Sequence, residues 1–168
     1  RIMKAKGIDN YLRLAKTIKQ DYPETEFHVV GAMEEDYQSV IEDLNKSGTI
    51  IYHGSVQEIR FIYEQVQAVI LPSYHEGLSN VLLEAASTGR VIIASHISGC
   101  KETFIEGESG FGFNPHDFND MMNSVKKFIQ ISLENKERMG LKGRDYVEKH
   151  FDRRLIIQNY IKTIEEVL

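Results

Sequence analysis

The sequence predicts an α/β fold in which helices cover both faces of a parallel, doubly wound β-sheet. Short apolar, β-branched runs alternate with helical patterns four times within the first hundred residues. The runs at 68–71 and 91–95 are apolar throughout, which is typical of strands buried on both faces. Right-handed crossovers then place helices on both sides of the sheet. We expect one domain over residues 1–168, with an alternating core to about 116 and only helices from about 117 to 168.

The elements are predicted from apolar spacing and from the residues that end each pattern. Pro72 ends the strand before it because proline has no N–H for the ladder, and Gly89 is typical of a helix end. The predicted strands are 27–31, 49–53, 68–71, 91–95 and a short one ending at Phe113. The predicted helices are 8–20, 34–46, 57–67, one through 81–86, 101–105, 117–131, 134–150 with interruptions at Gly140 and Gly143, and one from Asp152 to Leu168. The apolar stripe expected in the last helix is Leu155, Ile156, Tyr160, Ile161, Ile164 and Val167.

Composition excludes several broad classes of protein. With 42% hydrophobic and 27% charged residues, the chain is an ordinary globular sequence. Its net charge of −5 argues against a general nucleic-acid surface. No apolar run approaches the roughly 20 residues needed to span a bilayer, so we expect no membrane-spanning segment. The single Cys100 fits a reducing, cytoplasmic location. The abrupt start at Arg1 suggests a fragment of a longer protein.

One stretch, residues 70–86, combines a strand end, a polar turn and a helix start. Ligands of parallel sheets bind beyond the carboxyl ends of strands, where a helix start attracts anions. Gly77 would let a backbone approach such an anion closely. The helix is apolar on every side except at Glu84, so this carboxylate is expected to be buried and to have a partner. An internal salt bridge and a ligand are equally good candidates for that partner.

Other common site motifs are absent. The chain has no G-x-G-x-x-G, no P-loop and no nucleophile elbow, so the usual phosphate loops and a Ser/His/Asp triad are not indicated. Its six histidines and one cysteine lack metal-ligand spacing, and a structural role is favoured for His28, His53 and His96. We therefore assign no metal. On residue type alone, Arg1 and Lys6 are more simply a solvated basic end.

Taken together, the motifs resemble the C-terminal domain of the retaining GT-B glycosyltransferases of family 4, the "glycosyl transferases group 1" set. The central motif is E-x7-E, from Glu76 to Glu84, preceded by L-P-S. An R-x4-K-G motif lies at Arg1, Lys6 and Gly7. Further matches are F-H-V-V-G at 27–31, Gly54-Ser55-Val56, Gly99 with Glu102, and Gly107 followed by Gly110-Phe111. The resemblance covers nearly the whole chain and implies a Rossmann-like domain, the C-terminal half of a GT-B fold.

The resemblance also implies roles for individual residues. Arg1 and Lys6 would hold the diphosphate of a nucleotide-sugar, Glu84 would accept hydrogen bonds from the ribose hydroxyls, and Glu76 would orient the donor sugar. Gly77, Leu78, Ser79 and Asn80 would contact the sugar and phosphate through their amides, while Val56 and Gln57 would touch the base. Carboxylates suit sugar hydroxyls because they offer only acceptors. No cofactor or metal is implied, because the nucleotide-sugar is itself a substrate.

The implied activity is transfer of a hexose-type sugar from a UDP-, GDP- or ADP-sugar to a saccharide or lipid-linked acceptor, with retention of anomeric configuration. The family's N-terminal acceptor domain and the strand expected just before Arg1 are not in the sequence, so this domain alone is expected to bind nucleotide and turn over little. The longer protein could lie at the inner face of the cell membrane. Ser79, His96 and Cys100 depart from the residues common in the family at those positions.

Two alternatives stay open at this point. The first is a nucleotide-sugar epimerase of the GT-B type, which would form product without an acceptor. The second is a non-enzymatic, doubly wound binding module of the response-regulator kind. Such a module needs acidic residues at its strand ends, where this sequence has Gly31, His53 and Pro72.

Overall fold

The computed structural model describes residues 1–167, without the side chains of Ile156, Asn159 and Val167. Two members of the expected stripe in the last helix, Ile156 and Val167, thus lie outside the described side chains. The strands are β1 (His28–Val29), β2 (Ile51–Tyr52), β3 (Ala68–Leu71), β4 (Val91–Ser95) and β5 (Gly110–Phe113). The α-helices are α1 (Ile8–Asp21), α2 (Gln38–Lys46), α3 (Arg60–Gln65), α4 (Asn80–Ser87), α5 (Phe118–Gln130), α6 (Leu133–Phe151) and α7 (Arg153–Val167), with 3-10 turns at Lys4–Lys6 and Lys101–Thr103.

All strand pairs are parallel, as expected for an α/β fold, but they form two sheets in place of one. β1 pairs with β2, and β4 lies between β3 and β5. One hydrophobic core lies around α1, with Leu14, Ile18 and Ile93 fully buried. A second packs α4 onto the three-stranded sheet through Leu82 and Ile92. The helices from residue 118 onward form the expected helical C-terminal part.

Several predicted helices differ from the observed ones, and the helix expected over 101–105 is only a 3-10 turn at Lys101–Thr103. The helix expected over 34–46 begins only at Gln38, because the Glu35 carboxylate turns back to accept a hydrogen bond from the Lys4 amide. The helix expected over 57–67 begins at Arg60, whose amide donates to the Glu58 side chain. The expected interruptions of α6 are absent, and Gly140 serves packing: a Cβ there would lie 2.0 Å from the carbonyl oxygen of Gly89.

The last helix, α7, contacts α6, but the described side chains of its expected apolar stripe are largely exposed. The exposed fraction is 69% for Tyr160 and 56% for Ile164. Over residues 1–167, no helix is long and apolar enough to cross a membrane.

Candidate functional site

An open cleft of about 1230 Å³ lies between the free edges of β1 and β3. His28 and Val30 line one wall and residues 68–71 the other. At the carboxyl ends of these strands, Arg1, Lys6 and Glu76 surround its mouth. The chemically active side chains predicted from the sequence therefore gather at the end of the sheet where parallel folds bind ligands.

The turn between β3 and α4 shapes this mouth. Ser73 is completely buried directly after Pro72, and Ser79 is the N-cap residue of α4. The Ser79 hydroxyl accepts a hydrogen bond from the Leu82 amide at 3.4 Å, which satisfies one of the free N–H groups at the helix start. Ser79, which departs from the residue common in the family at this position, therefore caps the start of α4.

Glu76 is the centre of the polar network in the cleft. Its Oε1 accepts two hydrogen bonds, one from Lys6 Nζ and one from Ser73 Oγ, each 2.7 Å long. The side chains of Lys6 and Glu76 are only 25% and 11% exposed, so their ion pair is partly shielded from water. The charge of Glu76 also adds to burial in raising the pKa of the Cys100 thiol to about 12, which keeps that thiol protonated. In the structure, Lys6 is thus an ion-pair partner of Glu76 and not a free cation.

The loop after β4 fixes the turn from the other side. The Ser79 amide donates to the Gly99 carbonyl at 2.9 Å, and the Gly99 amide donates to Glu102 Oε2 at 2.7 Å. Gly99 has a positive φ of 85°, and a Cβ there would lie only 2.0 Å from the carbonyl oxygen of Gly77. Glycine at 99 therefore lets two backbone segments touch beneath the mouth of the cleft.

Glu84 lies on the exposed side of α4, which corrects the expectation that it is buried. Leu82, Ala85 and Ala86 form the buried face, whereas Val81 and Glu84 both line the cleft. Within the part of the chain that the structure describes, the Glu84 carboxylate has no hydrogen-bond or ion-pair partner, so the internal salt bridge is not formed. With burial as the larger cause, its charge helps raise the pKa of Tyr63 to about 12.

Some of the remaining predicted site residues line the cleft and others do not. Arg1 lines it but is exposed and pairs with Glu34, with 3.3 Å between Nη1 and Oε2. Val56, Leu78, Ser79 and Asn80 also line it. Gln57 and Gly77 do not, and both are exposed. A Cβ added to Gly77 would have no atom within 4 Å, so space alone does not require a glycine there.

Two histidines form a hydrogen-bonded pair beside the cleft. His28 Nδ1 lies 2.9 Å from His53 Nε2, and His28 Nε2 lies 3.3 Å from the Glu26 carboxylate. Burial and the neighbouring His28 lower the pKa of His53. Among the residues that the structure describes, no group of three or more His, Cys, Asp or Glu side chains is arranged to hold a metal ion.

Comparison with known proteins identifies the family. The family described as "Glycosyl transferases group 1" matches residues 1–146, which include every predicted site residue. The chain belongs to this glycosyltransferase family. The capsular polysaccharide biosynthesis glycosyltransferase CapM of Staphylococcus aureus is 27% identical over 160 residues, which cover 93% of this chain and 42% of CapM.

Solved glycosyltransferase structures share the fold. The pneumococcal O-GlcNAc transferase GtfA is 27% identical, with a TM-score of 0.81 over 99% of this chain and 34% of that protein. A variant of S. aureus TarM is 20% identical, with a TM-score of 0.86 over 96% of this chain and 33% of TarM. The Rossmann-like, GT-B class expected from the sequence is thus confirmed. The chain spans less than half the length of these relatives.

Two residues that shape this glycosyltransferase site were not predicted to do so. The sequence pattern places Ser73 in L-P-S, in the polar turn and in a Ser/His/Asp triad that nothing else indicates. It gives Gly99 as a match paired with Glu102. Their functions depend on contacts with Glu76 and Gly77, which residue type and spacing do not reveal. A small polar residue directly after a strand-ending proline was the available signal for Ser73.

Proposed function

We propose that this chain is the donor-binding part of a retaining glycosyltransferase, which transfers a hexose-type sugar from a nucleoside diphosphate to a saccharide or lipid-linked acceptor. The observation that carries the proposal is the arrangement of charges at the mouth of the cleft. Glu84, whose carboxylate has no partner among the described residues, lines the same cleft as the Lys6–Glu76 ion pair, and Glu76 and Glu84 stand on either side of the start of α4. A nucleotide-sugar presents hydroxyls and a diphosphate in one molecule, and these groups match both features.

The two carboxylates are suited to different hydroxyl groups. Glu84 is accessible and lacks a protein partner among the described residues, so its oxygens are free to accept hydrogen bonds from the vicinal ribose hydroxyls. Glu76 has one oxygen occupied by Lys6 and Ser73, which leaves the other oxygen for the donor sugar. Leu78, Ser79 and Asn80 line the same part of the cleft and would contact the sugar or phosphate.

Positive charge near the diphosphate would promote departure of the leaving group. The Lys6 ammonium has three N–H donors, so it can keep its bond to Glu76 and also donate to a phosphate oxygen. Arg1 would add its charge by exchanging Glu34 for the diphosphate, and the start of α4 contributes a partial positive charge. Stabilising charge that develops on the leaving group lowers the barrier of the transfer step. These groups would act without a metal ion.

Relatives support a nucleotide-sugar as the donor. The structure of pneumococcal GtfA contains UDP and GlcNAc, and that of the TarM variant contains UDP. CapM is named for capsular polysaccharide biosynthesis. We extend to this chain the class of donor, with UDP-sugars as the first candidates, and the assembly of a polysaccharide or glycolipid in the cytoplasm.

We also propose that the cleft between β1 and β3 accommodates a parallel strand in a longer chain. The Ile2 amide donates to the Ala32 carbonyl at 2.7 Å, and the Glu34 amide donates to the Ile2 carbonyl at 3.0 Å, which pairs Ile2 with Met33 in parallel. In such a longer chain, a strand leading into Ile2 would extend this pairing along the free edges of β1 and β3. The donor site would then be the part of the cleft at the carboxyl ends of the strands.

The test of the donor-binding function is the Glu84→Ala variant. Hydrogen bonds to a charged group contribute about 1.5 to 3 kcal/mol, so the Kd for a nucleoside diphosphate should rise about 10- to 100-fold. Isothermal titration calorimetry with UDP, GDP and ADP measures this. Glu64→Ala, which removes an exposed glutamate of α3 outside the cleft, is the matched control. Equal affinities for the variant and the parent would contradict the ribose assignment.

A further inference from the structure

Ser73 occupies an unusual position for a hydroxyl group in this site. Its side chain is completely buried, yet its Oγ donates a 2.7 Å hydrogen bond to Glu76 Oε1. A serine hydroxyl has one proton to donate, and in this structure that proton is used on Glu76. Because Ser73 has no accessible surface, it does not touch a ligand in the cleft. Any effect of Ser73 on a ligand must therefore act through Glu76.

We propose, on the basis of the donor-binding function above, that Ser73 is a positioning residue that orients the Glu76 carboxylate toward the sugar of a nucleotide-sugar. Ser73 and Lys6 both bind Oε1, so the carboxylate is held by one oxygen, and Glu76 itself lines the cleft. Oε2 has no hydrogen-bond partner among the described residues and would be the oxygen that meets the sugar. In this arrangement Ser73 determines how strongly the site prefers a nucleotide-sugar to the free nucleoside diphosphate.

The backbone around Ser73 is suited to such a role because it is fixed on both sides. A Cβ on Gly7 would lie 2.0 Å from the Pro72 carbonyl oxygen, so these two segments are in close contact. The amide of Tyr74 donates to the Ala5 carbonyl at 3.0 Å. The Ser73 hydroxyl therefore projects from a backbone that cannot shift easily.

The second group on Oε1 is less suited to hold Glu76 alone. Lys6 has a long, flexible side chain and is 25% exposed, whereas Ser73 has one side-chain torsion and is fully buried. Lys6 is also the side chain that we assign to the diphosphate, so donor binding draws on its remaining N–H groups. Without the Ser73 hydroxyl, Glu76 would follow the movements of Lys6, and contacts with the sugar would weaken more than contacts with the nucleotide.

Calorimetry on Ser73→Ala with UDP and UDP-glucose tests this inference, with the GDP and ADP pairs as further probes. The preference is the ratio of the Kd for the diphosphate to the Kd for its sugar derivative. We expect this ratio to fall about tenfold in Ser73→Ala, as for loss of one hydrogen bond to a charged group, while the Kd for the diphosphate itself stays nearly unchanged. Ser95→Ala is the matched control, because Ser95 is also fully buried but its hydroxyl has no hydrogen-bond partner among the described residues.

A double-mutant cycle separates positioning from a structural effect. In a Glu76→Gln background, Ser73→Ala should change the ratio by less than about twofold, because the group that Ser73 orients is already altered. A ratio that is unchanged in Ser73→Ala, or an equal fall in both backgrounds, would overturn the positioning role while leaving donor binding intact. Failure of the parent chain to bind any of the six nucleotides would instead overturn the proposed function, and the inference with it.

Discussion

Replacing Gly99 with alanine should disturb the candidate site through the backbone of the 76–79 turn. The new Cβ would lie 2.0 Å from the Gly77 carbonyl oxygen and 2.8 Å from that of Glu76. Reaching an ordinary contact of 3.4 Å requires the turn or the loop to move by about 1.4 Å. A displacement of this size breaks the 2.9 Å hydrogen bond from the Ser79 amide to Gly99 and shifts the backbone that carries Glu76.

The expected free-energy change has two parts. A left-handed backbone costs an L-residue about 1 to 2 kcal/mol, and Gly99 has a φ of 85°. Loss of the hydrogen bond and repacking of the turn add about 1 to 3 kcal/mol. Gly107→Ala is a matched control, because Gly107 has a φ of 72° but no atom within 4 Å of an added Cβ. The Gly107→Ala variant should therefore lose only the free energy that the left-handed backbone costs, about 1 to 2 kcal/mol.

Urea unfolding and calorimetry measure the two consequences of Gly99→Ala. We expect its free energy of unfolding to fall by about 2 to 5 kcal/mol, against about 1 to 2 kcal/mol for Gly107→Ala. Among the molecules that remain folded, the affinity for a nucleotide-sugar should fall about tenfold or more, whereas Gly107→Ala should bind like the parent. Equal stability and equal affinity of the two variants would refute the reasoning that Gly99 fixes the turn.

Two further predictions concern charge. Lys6→Ala should weaken binding of a nucleoside diphosphate about tenfold or more but barely change binding of the bare nucleoside. Calorimetry measures both affinities, with Lys4→Ala as the control because Lys4 is exposed. Equal losses for the two ligands would mean that Lys6 is structural. Because folding lowers the pKa of His53 from 6.5, its contribution to stability should be complete above about pH 6.5. It should decrease as the pH falls below that value, because the unfolded state takes up the proton more readily than the folded state. Urea unfolding at pH 7.5 and 5.5 should show this loss diminished in His53→Gln, and an undiminished loss would assign it to other groups.

Local sequence signals were sufficient for the centre of the fold. β3 and β4 have the predicted bounds, 68–71 and 91–95, because each is a continuous apolar run enclosed by residues that end it. The helix predicted over 8–20 extends only one residue further, to Asp21. In these segments the apolar pattern, the strand or helix propensity and the terminating residues all agree.

Features that depend on distant contacts were not predictable in this way. Gly140 resembles a helix breaker in the sequence, but in the structure it allows α6 to approach the Gly89 carbonyl. The division of the parallel strands into two sheets depends on which strand edges meet, and apolar runs do not encode that. The shortening of the second helix depends on Glu35, which binds an amide 31 residues earlier in the chain.

The site was predictable to a similar extent. Lys6, Glu76 and Glu84, which belong to the E-x7-E and R-x4-K-G motifs, line one cleft in the structure. The motifs did not indicate that Lys6 and Glu76 pair directly, or that Ser73 shares the same carboxylate oxygen. Hydrogen-bond partners depend on side-chain orientation within about an ångström, which a spacing of residues cannot specify.

Glu84 was correctly singled out as the one charged residue in an apolar helix, but the prediction that it is buried was wrong. A charged residue within an apolar helix was interpreted as a buried group, because an apolar helix is usually enclosed on all sides. In α4 the residues three apart, Val81 and Glu84, share a face that borders the cleft, while Leu82, Ala85 and Ala86 pack on the sheet. Because Val81 on the exposed face is also apolar, the sequence pattern predicted a helix buried on all sides. In a helix that starts at the carboxyl end of a parallel sheet, one carboxylate among apolar residues is therefore better interpreted as a sign that the helix lines a cleft.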